Sequence, residues 1–139
     1  DRAFHLSVRG ADPYVLKAQL GFNSGTEGEL KEHASSLSVD TWYFAALSYD
    51  NTDKTWAIRL RDTDGAKIGS DATGTATLDA NKLSATDAAF SIGALDSDQF
   101  FDGLIDGVAV YDTVLSEAEV DALAQSTSGR RKGGAALLW

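Results

Sequence analysis

The chain has 139 residues, a formal net charge of −9 at pH 7, no Cys and no Met. That length fits one domain with room for a real core. The missing Cys excludes a disulfide framework, a thiolate metal site and a cysteine nucleophile, and the acidity argues against nucleic acid as a partner. Phe4, Leu6 and Val8 alternate with His5, Ser7 and Arg9, the period of a half-buried strand. A turn at Gly10 to Pro13 leads to a second alternation through Tyr14, Leu16, Ala18, Leu20 and Phe22. Another turn follows at Asn23 to Gly28, and Glu29 to Leu37 in isolation could pass for a helix.

Trp42, Phe44 and Ala46 share one face of the next strand, with Tyr43, Ala45 and Leu47 on the other. Both faces are apolar, so a central strand covered on both sides is expected. In the strand after it, Trp56, Ile58 and Leu60 point inward, while Thr55, Arg59 and Arg61 point outward. Gly69 to Thr86 is polar and small-residue-rich, a long connection or a weak edge strand. Leu104 to Tyr111 alternates again with apolar residues on both faces, which belongs inside a sheet. Ser116 then has Glu119 three residues later, the capping-box spacing, and predicts a helix to Ala124. A flexible STSG, a basic RRK and an apolar AALLW finish the chain.

Several of these pieces match known phrases in order. Phe100 to Leu123, FFDGLIDGVAVYDTVLSEAEVDAL, follows the pattern F-x-G-x-I-D-D-V-x-x-Y-x-x-x-L-S-x-x-E-I, with Gly107 in place of the second Asp. Upstream, Trp42 to Asn51, Trp56 to Gly65 and Phe90 to Leu95 correspond to a central strand, a hairpin and an "IG" strand. Together they resemble the bacterial laminin-G-like domains of the concanavalin A-like lectin/glucanase superfamily; from Ala3 to Leu37 the resemblance rests on strand pattern alone. It implies an all-β, antiparallel two-sheet jelly-roll sandwich with one short C-terminal helix. The sandwich would occupy residues 1–125 and a linker or tail residues 126–139. Within that fold, Glu29 to Leu37 pairs as a short strand leading into a loop. Family members carry further strands before this chain's first residue. An excised piece lacking its first strands is therefore expected, in keeping with the absence of an initial Met.

Asp106 shares a strand face with Val108 and Val110, heading an apolar row where a lone carboxylate is costly. The resemblance implies a structural calcium there, since calcium accepts hard oxygen ligands at several angles. Hydrogen bonds from backbone amides or an Arg are the other reading. Sugar binding calls for exposed aromatic platforms beside polar groups. The candidates are Tyr14, Phe100 and Trp139, with Asp96, Asp98 and Gln99 near Phe100, whereas Trp42 and Trp56 read as core. Arg59 and Arg61 are either a forked site for carboxylated or sulfated sugar or a solvated face. The acidic pairs Asp50/Asp53, Asp62/Asp64 and Asp96/Asp98 are explained by Asx turns.

Catalysis finds little support. The superfamily's glucanases place Glu-x-Asp-x-(x)-Glu on one strand, and that phrase does not occur. Glu27, Glu29 and Glu32 come nearest but adjoin a flexible turn, and His5 and His33 have no zincin or triad context. The sequence thus reads as a non-catalytic module of a secreted or cell-surface protein, binding glycan or an extracellular protein. No membrane span is present. A homo-oligomer, or completion by another segment of the parent chain, is expected. The alternative is a structural subunit of an extracellular filament, virion or surface assembly held by strand or tail exchange.

Overall fold

In the computed structural model, residues 4–10, 13–22, 27–77, 90–95, 99–130 and 137–138 are described. Strands β1 (Phe4–Arg9), β2 (Tyr14–Phe22) and β3 (Glu27–Leu37) form one antiparallel sheet in that order. A second antiparallel sheet has the order β4 (Phe44–Tyr49), β5 (Thr55–Arg61), β6 (Ala72–Thr75). Leu16 and Ala18 of β2 meet Ile58 and Leu60 of β5 between the sheets, with Leu37 and Tyr43 closing the cluster. This is the two-sheet sandwich that the alternation predicted. Leu20 and Ala76 extend the core toward Trp56 and Tyr49.

Three departures from the sequence reading matter for function. First, Glu29 to Leu37 lies in a long strand rather than a short one, with a register shift against β2 between Val15 and Lys17. Glu29, Lys31, His33 and Ser35 turn inward, because Glu29 and Lys31 pair in register with the buried Leu20 and Ala18. The interior is therefore apolar under β2 and polar under β3. Second, among the described residues β5 and not β4 is the middle strand of its sheet. β4 is half-buried along its length, consistent with cover on both faces but not with a central place.

Third, the strand expected over Leu104 to Tyr111 is only β9, Leu104–Ile105. Gly107 takes a positive φ of 60°, where a side chain is disfavoured, and the extended path breaks there. Val108, Val110 and Tyr111 are exposed instead of buried. Ahead of β9, β7 (Ala94–Leu95) and β8 (Gln99–Phe100) form a short hairpin. After it, α1 runs Glu117–Arg130, continuing beyond Ala124 through the stretch read as a flexible linker. β10 (Leu137–Leu138) returns to pair antiparallel with β9.

The capping box forms as spaced. The Glu119 amide donates to Ser116 Oγ at 3.3 Å, and the Ser116 amide donates to the Glu119 carboxylate at 2.8 Å. Val120 and Ala124 form the buried side of the helix.

Candidate functional site

The β7–β8 hairpin carries the most exposed large hydrophobic side chain among the described residues, Phe100, at 72%. Ala94 pairs with Phe100 and Leu95 with Gln99. The Phe101 amide donates to the Gly93 carbonyl at 2.8 Å, and Ser91 Oγ donates to the Ala94 carbonyl at 3.0 Å. Gly93 has a φ of +76°, so the chain turns there without steric cost. These bonds fix the base of a ring that faces water. Of its expected companions, Gln99 contributes backbone to β8, while Asp96 and Asp98 lie outside the described residues, as does Trp139. Tyr14 packs against the core and offers no platform.

Arg61 corrects the sequence reading. It was expected to face outward, yet its side chain is 0% exposed. Two of its nitrogens meet both Asp71 oxygens, at 2.6 and 3.1 Å, and Nε donates to Asp121 of α1 at 2.7 Å. Nη1 also donates to the Leu60 carbonyl at 2.9 Å. Arg59 is nearly buried beside it, donating to Ser48 Oγ at 3.1 Å, with Nε 3.4 Å from Asp71. The pair is thus an internal junction of β5, the Asp71 segment and α1, and its forks are turned to protein carboxylates rather than to a sugar. Burial works against Asp71 ionising, but hydrogen bonds and charge from Arg61, helped by Arg59 and Lys67, hold its carboxyl below the usual range.

The polar stripe on β3 was not foreseen. Glu29 accepts from the Thr77 amide at 2.6 Å and from Thr77 Oγ1 at 3.0 Å, and it pairs with Lys31. Lys31 Nζ sits 5.2 Å from the Trp56 ring centroid, a cation–π distance. His33 is fully buried, its Nδ1 accepting from the Ser35 amide at 3.2 Å. Burial pushes the His33 pKa below the ordinary imidazole value; Arg61 adds to this, while Asp71 and the Ser70 backbone oppose it. The one signal in the sequence was the odd-numbered polar residues alternating with Leu30 and Ala34. Their spacing was masked by equally good helical periodicity.

Glu29 and Glu32 lie three apart on a strand and so on opposite faces, 9% and 59% exposed. Glu32 is paired with Lys17 at 2.9 Å. Two carboxyls so disposed do not flank one glycosidic bond. Two of the three Asx turns form as read, and the third, at Asp96 and Asp98, lies outside the described residues. Asp50 Oδ1 accepts from the Thr52 and Asp53 amides at 2.7 and 3.3 Å, and Asp62 Oδ1 from the Asp64 and Ala66 amides, both at 2.9 Å. Asp106 is exposed just past β9, not heading a buried row. Among the described residues no three of His, Cys, Asp and Glu gather where they could hold a metal ion. The calcium implied by the resemblance therefore finds one candidate carboxylate and no described cluster.

A family model, a laminin G domain type described as the concanavalin A-like lectin/glucanases superfamily, matches residues 1–121. The chain belongs to that superfamily. No curated protein and no solved structure matches it. For this laminin G-like domain, the match takes in both sheets, the β7–β8 hairpin, β9 and the first turn of α1, and leaves β10 outside. The superfamily fits a carbohydrate-binding or adhesion module. Its laminin G-like members are generally non-catalytic and typically extracellular, although the superfamily also includes glycosidases. No helix among the described residues is long and apolar enough to cross a membrane.

Proposed function

We propose that this domain is a non-catalytic module of a secreted or cell-surface protein that binds glycan at the β7–β8 hairpin, with Phe100 as the stacking platform. The exposure of Phe100 carries the reading. An aromatic ring held in water by a bonded hairpin has no packing role, while the C–H face of a pyranose offers it an apolar partner. Asp96 and Asp98, which link the two strands in sequence, and Gln99 supply polar groups for the hydroxyl rim. The commitment of Glu29 to Thr77 and Lys31 favours binding without hydrolysis. Calcium at Asp106 belongs to the same proposal and is supported by the resemblance alone.

A glycan array probed with the domain, with and without calcium, tests this directly. Binding to a defined sugar class, abolished by Phe100→Ala with the melting temperature unchanged, is expected. An array blank under both conditions would remove the lectin reading. Binding that survives Phe100→Ala would move the site elsewhere.

A further inference from the structure

We infer that the stretch from Leu104 to Val114 is a self-association face, and that its occupant is a second copy of this chain contributing its β10 strand. Leu104, Val108, Val110, Tyr111 and Val114 are each 49–66% exposed. Apolar side chains scattered singly over a surface are ordinary, whereas a run of them along one exposed segment marks an interaction site. The segment lies beside the β7–β8 hairpin and leaves Phe100 free: Ile105 Cδ1 lies 3.6 Å from where a Gly93 side chain would begin.

What covers this face is indicated by the chain itself. Leu137 and Leu138 pair antiparallel with Ile105 and Leu104, so the β9 edge accepts an apolar strand of this sequence. Among the described residues the ladder holds those two pairs, and Asp106 to Leu115 stays outside any strand. The tail's starting point is fixed in that arrangement, because Asp121 and Glu117 tether α1 to Arg61 and Lys67. A second copy's tail leaves its own body at the same point, and a two-fold pairing brings it to the same edge. Exchange keeps every β9–β10 contact while bringing two exposed faces together, the low-cost route to a symmetric dimer. Charge fits as well: Asp106 and Asp112 are exposed on the acceptor stretch, and in the sequence the basic run Arg130, Arg131, Lys132 comes before the tail strand.

Light scattering across a concentration series and a cross-link between chains test the inference. The protein has no cysteine of its own, so Leu104→Cys in one chain and Leu138→Cys in another place the only thiols at a paired position. The expected results are a species of twice the chain mass and, after unfolding, mixing and refolding, a disulfide joining the two different chains. Val110→Lys, on an exposed side chain that leaves the fold intact by circular dichroism, should cause loss of the dimer. A strictly monomeric protein would overturn the inference. So would a disulfide that forms only within one doubly substituted chain, since the chain's own tail would then be the occupant. A dimer undiminished by Val110→Lys would equally exclude this face.

Discussion

Arg61 and Asp71 form a two-pronged ion pair, Nη1 to Oδ1 at 2.6 Å and Nη2 to Oδ2 at 3.1 Å, with the arginine wholly inside the protein. Removing water from two charges costs several kcal/mol per ion, and only near-ideal geometry with further bonds offsets it. Arg61 has those further bonds, to Asp121 and to its neighbour's carbonyl. The pair therefore fixes where the Asp71 segment and α1 sit on β5.

Asp71→Ala should destabilise the domain by about 3 kcal/mol, because it leaves a buried guanidinium with Asp121 as its remaining carboxylate partner. Arg61→Met combined with Asp71→Leu should recover part of that loss, since the buried guanidinium goes with its partner and Asp121, partly exposed, is left to water. Urea midpoints of the single and double variants check this. A single variant as stable as the parent would mean that water reaches the cluster freely.

Stability should also fall in acid, in two stages. His33 has a folded pKa below its unfolded value of about 6.5, so the folded state binds fewer protons. Its contribution is complete above that value and is lost as pH falls through the lowered one. Asp71 follows the same sign: its carboxyl is depressed in the fold, so its contribution disappears below the ordinary carboxylate range of about 3.9. Urea midpoints measured on descending pH should decline first near the histidine value, and His33→Gln should flatten that first stage only. A pH-independent midpoint in the parent would contradict both assignments.

Gly74 pairs across the sheet with Trp56, and a Cβ added there would lie 2.9 Å from the indole ring. The ring is also engaged by Lys31. Gly74→Ala should accordingly cost roughly 1–3 kcal/mol through overpacking, with a change in tryptophan emission. An unchanged melt and spectrum would show that the indole has another place to go.

Ser116→Ala removes one half of the capping box and should cost about 1 kcal/mol, read as a lower melting temperature and weaker helical circular dichroism. Glu119 is held below its usual pKa by hydrogen bonds from the Ser116 hydroxyl and amide, so this box loosens in acid.

The features readable from sequence share a short range. Ser116 and Glu119, Asp50 and Thr52, and Asp62 and Asp64 find their partners within three residues, so spacing alone specifies the bond. Leu16, Ala18, Ile58 and Leu60 were legible because a strand buries every second residue whatever it packs against. Phe100 was identifiable as an aromatic near carboxylates, but only the hairpin pairing revealed that it faces water.

Long-range partners decided the rest. Arg61 looks like a surface residue until Asp71 and Asp121, ten and sixty positions away, enclose it. Glu29 to Ser35, ELKEHAS, has a pattern that suits helix or strand. Registration against Leu20 and Ala18 turned its polar side inward, where Thr77 and Trp56 wait. From Asp106 to Tyr111 the pattern is that of a strand, yet a strand needs a neighbour to complete its hydrogen bonds. The sequence determined local geometry and which residues can be buried; which of them are buried was set by partners that only the folded chain brings within reach.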